Sequence, residues 1–340
     1  MPDSSLPLLV IIIFLAVGFG LVNGFNDAAN AIATVVGTRV LSPRKAIAVA
    51  AVANLAGAFT GLAVAKTIGK GILIPEAVSN ITVIAALASV IVWGSIATYI
   101  GLPVSITHGF VAGLAAAGIA VAGSLDLAWY QTVQWAQIAR VGSSVAIAPV
   151  LGFTGGFALM ALLLWLIRRM APGAITAVFG RLQWLTAAFM AYSHGKNDGQ
   201  MPIGVITMGL VVYTGNIGLW DSVPWWVIGL SALAISSGTA VGGWRVIKTL
   251  GMRVTQLRPV HGFAAEASAA TVIEVASHLG IPVSTTHCIS SSIMGVGATR
   301  RLSAVRWGVA GNIVTAWVLT FPICGALGYA FARLLSLFFP

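Results

Sequence analysis

Long apolar runs recur along this chain and are separated by short polar stretches. Several runs approach the roughly 20 apolar residues that a helix needs to cross a bilayer. Of the 340 residues, 58% are apolar and only 8% are charged, whereas soluble chains usually carry about a quarter charged residues. The sequence therefore predicts an all-α polytopic membrane protein with about 10–12 membrane segments. The predicted segments lie near 6–22, 46–65, 81–100, 104–122, 138–166, 182–193, 201–215, 224–243, 261–280, 283–298 and 307–334.

The formal net charge of +10 lies mostly in short loops between these segments. Basic residues in such loops orient a membrane protein, with the basic side in the cytoplasm. The charge therefore does not indicate a nucleic-acid partner. Cys288 and Cys324 both lie in apolar segments, so the sequence offers neither a disulfide framework nor metal-ligand spacing.

Three short motifs occur twice in the same order. The segment GLPVSITHG (101–109) returns as GIPVSTTHC 179 residues later, at 280–288. FNDAAN (25–30) returns as KNDGQM (196–201), and KTIG (66–69) returns as KTLG (248–251), at offsets of 171 and 182 residues. Three ordered matches at nearly equal offsets indicate an internal duplication.

The loop charges predict that the two copies face opposite sides of the membrane. The loops that flank the second PVS motif, 244–258 and 300–306, carry seven Lys or Arg, and those that flank the first, 66–80 and 123–137, carry two. Inverted-topology repeats with broken or re-entrant helical hairpins are typical of secondary transporters. We expect four parts: a first repeat at 1–137, a connecting span and cytoplasmic loop at 138–181, an inverted second repeat at 182–306, and a C-terminal span at 307–340.

Each PVS motif predicts a helix that breaks and restarts inside the membrane. Pro103 and Pro282 disfavour helix in the residue before them, and Ser105 and Ser284 are good N-caps for the following helix. Free N–H groups at a helix N-terminus suit an anion. The hydroxyls that would surround this anion belong to Ser105, Thr107, Ser284, Thr285 and Thr286. The alternative is that these hydroxyls only satisfy the backbone of a kinked helix.

The two Asn-Asp motifs place carboxylates at membrane depth. An ionised carboxylate there costs about 2.5–3.5 kcal/mol on insertion scales, so Asp27 and Asp198 are candidate functional residues. Asn26 is spaced to share a helix face with Asn23 and Asn30. Carboxylate and amide oxygens suit a hard cation such as Na⁺, and a buried carboxylate also suits a proton. Interhelical hydrogen bonding by the asparagines is the simpler alternative.

Together the two kinds of motif suggest electrostatic coupling. Asp27 and Asp198 would repel an anion held at the same depth until a cation or proton neutralises them. The anion site would then become competent only when the coupling ion is bound.

The two copies also differ. Met201 stands where the first copy has Asn30, and Gln200 stands where it has Ala29, so Gln200 is a candidate cation ligand or phosphate donor. Glu266 and Glu274 have no acidic counterpart in the first half. Glu274 and His278 are spaced to share a proton or form an ion pair on a helix, which suggests proton coupling or gating, with a structural network as the alternative.

The motifs NGFNDAANAIATVVGT, SHGKNDGQ and the paired PVS segments resemble those of the inorganic phosphate transporter (PiT) family, as does 258–287. The resemblance covers roughly residues 15–300. It implies re-entrant hairpins, cation-coupled phosphate uptake, a plasma-membrane location (the inner membrane in a bacterium) and a homodimer. By matching positions it implies phosphate near Ser105, Thr107, Ser284, Thr285 and Thr286. It implies coupling-cation ligands at Asn23, Asn26, Asp27, Asn197 and Asp198.

Several alternatives stay open. Sulfate has the size and charge of divalent phosphate, and an uncoupled anion channel or exporter would need similar sites. The choice between Na⁺ and H⁺ also stays open. An enzyme acting on a lipid phosphate is disfavoured because no loop holds a nucleophile beside a base. We expect neither enzymatic activity nor a cofactor.

Overall fold

A computed structural model describes residues 5–122 and 127–338. These residues form helices joined by short loops, with no strand in the described ranges. In chain order the first seven helices are α1 (Leu6–Asn26), α2 (Ala28–Gly37), α3 (Pro43–Ala58), α4 (Ala63–Gly71), α5 (Asn80–Ile100), α6 (Ile106–Val121) and α7 (Trp135–Leu166). The next seven are α8 (Pro172–Asp198), α9 (Gln200–Thr214), α10 (Trp225–Val241), α11 (Trp244–Lys248), α12 (Pro259–His278), α13 (Thr285–Ala298) and α14 (Trp307–Leu335). A π-helical turn, Thr249–Arg253, continues α11.

Proline and glycine mark many of the helix ends. Pro43 and Pro172 begin α3 and α8, where the missing N–H would have had no helical partner. Gly101 follows α5 with a φ of 80°, and Gly215 follows α9 with a φ of 68°. Only glycine adopts this left-handed conformation without strain, so the helices stop there.

The two sets of seven helices match in order and in packing. The α3/α4 pair is bent by 73°, and α10 is bent by 61° against α11 and the π-helical turn. Both α7 and α14 contain an internal proline, Pro149 and Pro322. Helix α1 packs on α10 as α8 packs on α3, and α6 packs on α14 as α13 packs on α7. Each of these four packing contacts joins a helix of one set to a helix of the other.

Five helices or continuous helix pairs in the described ranges are long and apolar enough to cross a bilayer, or seven spans if each bent pair counts as one. The segments predicted from the sequence additionally include α6, α12 and α13, which do not meet this criterion of length and apolar composition. The predicted segments near 182–193 and 201–215 belong to one continuous stretch, Pro172–Thr214. Helices α6 and α13, of 16 and 14 residues, are only about 24 and 21 Å long and are the returning halves of hairpins.

Helix backbones come into direct contact at several crossings, and two of these involve the helices that carry the Asn-Asp motifs. A Cβ atom on Gly24 of α1 would lie 2.2 Å from the carbonyl oxygen of Ile235 in α10. A Cβ atom on Gly195 of α8 would lie 2.2 Å from the carbonyl oxygen of Asn54 in α3. Small residues permit such close approach between membrane helices. These glycines fix the helices that carry both Asn-Asp motifs.

The buried apolar side chains form two main clusters, and the Asn-Asp motifs lie where the chain passes between them. Val22 belongs to one cluster and Ala29 to the other, on either side of Asp27. Ala191 and Met201 flank Asp198 in the same way. The polar site is thus enclosed by apolar packing from both sets of helices.

Candidate functional site

The candidate site forms where two helix junctions meet the first turns of α6 and α13. Helix α1 joins α2 at Asp27, and α8 joins α9 at Gly199, both with helical backbone angles. The hairpin α5–α6 turns through residues 101–105, and α12–α13 turns through 279–284. We call these the first and second hairpins.

The predicted N-caps of the hairpin helices are confirmed. Ser105 Oγ accepts a hydrogen bond from the His108 N–H (3.3 Å), and Ser284 Oγ accepts one from the His287 N–H (3.1 Å). Each serine hydroxyl still has its own proton to donate. Helices α6 and α13 therefore begin inside the protein with buried N-termini, as an anion site requires.

Both aspartates engage the hairpins. Asp27 Oδ1 accepts a hydrogen bond from the Thr286 hydroxyl (2.7 Å), and Asp27 Oδ2 accepts one from the backbone N–H of Ile106 (3.4 Å). Asp198 Oδ2 accepts one from the Thr285 hydroxyl (3.1 Å). Because Thr285 and Thr286 are adjacent at the start of α13, the two carboxyl groups lie close together, and both aspartates are buried. Two carboxylates so placed repel each other unless a cation or proton lies with them.

Two asparagines add oxygens to this centre. Asn30 donates to the Thr286 hydroxyl (2.5 Å), and Asn23 donates to Asp198 Oδ2 (3.5 Å). Among the described residues, neither Asn23 Oδ1 nor Asn30 Oδ1 has a hydrogen-bond donor, although both are buried. Buried amide oxygens without donors beside two carboxylates are suitable ligands for a hard cation.

Asn26 and Asn197 instead connect each motif to the hairpin of its own set of helices. Asn26 donates to the Thr98 hydroxyl (2.6 Å) and accepts from the Val104 N–H (3.3 Å). In the amide orientation that satisfies its neighbours, Asn197 donates to the Val283 carbonyl (3.2 Å) and to Asp198 Oδ1 (3.0 Å). The geometry thus gives both asparagines a positioning contact, and their role as cation ligands stays a prediction.

The two remaining candidate substrate residues lie in different surroundings. Thr107 is buried, and its hydroxyl has no partner in the described part of the chain. Gln200 Oε1 accepts from the N–H groups of Val64 (2.9 Å) and Ala65 (3.2 Å) at the start of α4. Its amide also donates to the Lys196 carbonyl (2.5 Å). Both ends of the Gln200 amide therefore bind the backbone, and its role as a phosphate or cation ligand stays a prediction.

Glu266 lies in a buried network of its own. Its carboxylate accepts hydrogen bonds from Thr34, from Gln183 (3.1 Å) and from Thr186 (2.5 Å). These donors belong to α2 and α8, the helices that carry Asn30 and Asp198. The network therefore fixes α12 against both junction helices.

Glu274 and His278 do not form the predicted pair. Glu274 is paired with Lys196 of α8, and His278 is exposed at the end of α12. Spacing along one helix suggested a local partner, but the oppositely charged side chain of a neighbouring helix occupies that place.

Glu266→Ala is expected to destabilise the protein strongly, because it removes the acceptor of three buried donors. Each stranded donor costs about 1–3 kcal/mol. Thermal unfolding in detergent should show a large fall in Tm for Glu266→Ala and a smaller one for Glu266→Gln, whose amide oxygen still accepts. An unchanged Tm for Glu266→Ala would contradict the structural importance of this network.

His194 is a site residue that the sequence reasoning missed. Its Nε2 lies 3.2 Å from Asp198 Oδ2, and its Nδ1 lies 2.8 Å from Asn54 Oδ1. Asn54 in turn donates to the Thr239 hydroxyl (3.1 Å). The 171-residue offset could have revealed His194, because it stands where the first copy has Asn23.

The hairpin histidines meet each other. The rings of His108 and His287 are 5.2 Å apart, and His287 lies 4.0 Å from the Trp317 ring. His108 Nε2 also lies 3.3 Å from the Ser144 hydroxyl. No group of three or more His, Cys, Asp or Glu side chains that could hold a metal ion occurs among the described residues. These contacts hold the starts of α6 and α13 against each other and against α7 and α14.

Comparisons with known proteins give a consistent result. A model of the phosphate transporter family matches residues 23–328. The chain is 41% identical to a probable low-affinity inorganic phosphate transporter of Rhizobium meliloti, over 98% of this chain and 100% of that protein. It is 38% identical to a protein of the same description from Bacillus subtilis, over 99% of this chain and 100% of that protein. A solved structure described as the sodium-dependent phosphate transporter matches with a TM-score of 0.87 and 27% identity, over 98% of this chain and 100% of that chain.

Proposed function

Because the chain belongs to the phosphate transporter family and is a multi-pass membrane protein, we propose that it takes up inorganic phosphate by symport with a cation. The observation that carries this proposal is that Asp27 and Asp198 are buried and accept hydrogen bonds at the N-termini of the hairpin helices. Such a centre is unfavourable without positive charge and holds anion donors next to the carboxylates.

The donors of the anion site are also the partners of the carboxylates. Asp27 engages the Thr286 hydroxyl and the Ile106 N–H, and Asp198 engages the Thr285 hydroxyl. A cation drawn to the carboxylates weakens their hold on these donors, and a phosphate can then accept the same hydrogen bonds. In this scheme binding of the cation releases the phosphate site, so the two substrates move together. The Ser105, Thr107 and Ser284 hydroxyls complete the proposed phosphate site.

We assign Na⁺ as the first candidate for the coupling ion. Asn23 Oδ1 and Asn30 Oδ1 are buried without donors and complement the two carboxylates as oxygen ligands. The structural relative is also described as sodium-dependent. A second candidate is H⁺, because two neighbouring buried carboxyl groups can share one proton. The buried Glu266 is a further candidate proton site.

The architecture of the proposal is two inverted repeats that alternate access around this central site. Its support is the matching order of the two sets of seven helices and the unequal loop charges. The match of α7 with α14 extends each proposed repeat beyond 1–137 and 182–306, so that 138–181 and 307–340 contain equivalent helices. A homodimer in the plasma membrane completes the proposal.

Purified protein in liposomes tests the function. Radiolabelled phosphate uptake would be measured with an inward Na⁺ gradient and with a pH gradient imposed separately. We expect phosphate to accumulate above equilibrium with the Na⁺ gradient. Accumulation with the pH gradient alone would assign H⁺ as the coupling ion.

The same assay separates the alternatives. Excess sulfate should leave phosphate uptake almost unchanged. Strong sulfate competition without phosphate uptake would replace phosphate by sulfate as the substrate. Phosphate that only equilibrates across the membrane under either gradient would show an uncoupled channel or exporter and contradict symport.

A further inference from the structure

Two matching hydrogen bonds connect the hairpins to the short helices of the opposite set. The Thr67 hydroxyl in α4 donates to the carbonyl oxygen of Gly280 in the second hairpin (2.8 Å). The Thr249 hydroxyl, at the end of α11, donates to the carbonyl oxygen of Gly101 in the first hairpin (2.9 Å). Thr67 and Thr249 are the threonines of the repeated KTIG and KTLG motifs. These two motifs have no role in the proposed transport site.

The packing around both hydrogen bonds is also alike. Gly101 and Gly280 have φ values of 80° and 67° and follow α5 and α12. A Cβ atom on Gly101 would lie 3.0 Å from Arg245 Cβ, and one on Gly280 would lie 3.3 Å from Ala63 Cβ. Each hairpin thus turns directly against the first residue or two of a short helix. The hydrogen bond from each threonine hydroxyl therefore accompanies a close contact between the hairpin and the short helix.

Each threonine has a second acceptor within reach. Thr67 Oγ1 lies 3.2 Å from the Ala63 carbonyl oxygen, and Thr249 Oγ1 lies 3.0 Å from the Arg245 carbonyl oxygen. These are carbonyls of the preceding helical turn, which threonine often engages in helices. When a hairpin moves away, the hydroxyl keeps a partner in its own helix. The bond to the hairpin can therefore break without stranding a buried donor.

We propose that Thr67 and Thr249 are positioning residues whose hydrogen bonds to Gly280 and Gly101 hold the two hairpins in place. Each of these hydrogen bonds, which we call a latch, controls access to the central site from one side of the membrane. The proposal rests on the transport function proposed above. Thr249 lies among Arg245, Lys248 and Arg253, so the loop charges place its latch on the cytoplasmic side. The inverted arrangement places the Thr67 latch on the outer side.

The latches act on the substrate site through short connections. Gly280 precedes Ser284 by four residues, and Gly101 precedes Ser105 by four residues. Release of either glycine therefore frees the hairpin segment that positions the N-cap serine and the threonines after it. Release of both latches together would open a leak, so alternating access requires them to break one at a time.

The cytoplasmic latch has additional contacts. The Arg245 guanidinium lies 4.4 Å from the centre of the Tyr99 ring and also donates to the Tyr99 carbonyl. A cation over an aromatic ring contributes a further attraction. The ion pair beside the outer latch, Lys66 with Asp221 (3.3 Å), is largely exposed, and such pairs contribute little. We therefore infer that the outer latch opens more readily.

Cysteine accessibility tests the two latches separately. Val104 and Val283 are buried at matching places in the two hairpins, and each would be replaced by cysteine as a reporter. The two native cysteines are buried, so the unmodified protein supplies the background. A membrane-impermeant maleimide would be applied to right-side-out and inside-out membrane vesicles.

We expect Thr67→Val to raise the labelling rate of Val283→Cys from the outer side about two- to tenfold, the effect of losing one hydrogen bond. Val104→Cys should be unaffected. Thr249→Val should raise the labelling of Val104→Cys from the cytoplasmic side, with a smaller factor because Arg245 still holds Tyr99. Thr67→Ser and Thr249→Ser keep the hydroxyl and should restore the original rates.

Three results would refute the latches. The first is a labelling rate that neither valine variant changes. The others are equal acceleration of both cysteine reporters by either valine variant, and serine variants that behave like the valine variants. The labelling requires no phosphate, so the two proposals can fail separately. Absence of phosphate uptake by the parent protein would reject the transport function, whereas normal uptake with unchanged labelling would reject only the latches.

Discussion

Asp27→Asn should reduce cation-dependent phosphate uptake about ten- to hundredfold, the usual loss when a hydrogen-bonded charge is removed. The substitution keeps the shape of the side chain but removes one of the two neighbouring carboxylates. A single carboxylate attracts the coupling cation less strongly. The phosphate uptake that remains should therefore depend less on the gradient of this cation. Initial rates in liposomes at several Na⁺ concentrations and pH values measure both effects.

A stability measurement provides an independent check on Asp27→Asn. Without a cation, the variant should unfold at a higher temperature than the wild type, because it lacks the repulsion between the carboxylates. Added Na⁺ should raise the Tm of the wild type by binding the folded state, and this rise should be much smaller in the variant. Glu76→Gln, at an exposed position, is the matched control and should change neither uptake nor stability. Full cation-dependent uptake by Asp27→Asn would refute the coupling scheme.

Gly24→Ala should destabilise the protein by about 3 kcal/mol, at the upper end of the range for overpacking. The new methyl group would lie 2.2 Å from the Ile235 carbonyl oxygen and 2.7 Å from the Thr239 nitrogen. Both neighbours are backbone atoms of α10, so no side-chain rotation relieves the contact. Helix α1 must move away from α10, which displaces the neighbouring Asn23 and Asp27. Thermal unfolding in detergent and phosphate uptake should both show severe losses.

Gly311→Ala is the control for this prediction. Gly311 lies within α14, and no atom outside its own stretch of helix backbone lies within 4 Å of the position its Cβ would take. Alanine is favoured over glycine inside helices by about 0.5–1 kcal/mol. This variant should therefore be as stable as the wild type or slightly more stable. If Gly24→Ala behaved like Gly311→Ala, the backbone contact between α1 and α10 would be wrong.

The sequence predicted the local features of the site well because they depend on neighbouring residues. A serine after Pro-Val predicts an N-cap, and both Ser105 and Ser284 are N-caps. Polar residues at helical spacing in an apolar run predict a buried site, and Asn23, Asp27 and Asn30 are all buried. Local rules of this kind need no knowledge of the tertiary arrangement.

Partners that come from distant parts of the chain could not be predicted in this way. The Gln200 amide caps α4, 136 residues away, a contact that the sequence does not reveal. Glu274 had a candidate partner four residues away in His278, but pairs with Lys196 across a helix interface. His194 lies four residues before Asp198, yet its contact with Asn54 depends on the crossing of α8 and α3. In each case the packing of helices decides which polar groups meet.

The hydrogen bond from Thr286 to Asp27 joins a residue of the second set of helices to a residue of the first. Neither α1–α7 nor α8–α14 contains both partners, so half of this chain on its own would hold an incomplete centre. A half-length protein of this design would become functional only by associating with a second half. Covalent linkage guarantees one copy of each half in every molecule and frees the two from having to be identical. Asn23 and His194 occupy equivalent positions in the two copies, as do Asn30 and Met201. These differences are of the kind that such linkage permits.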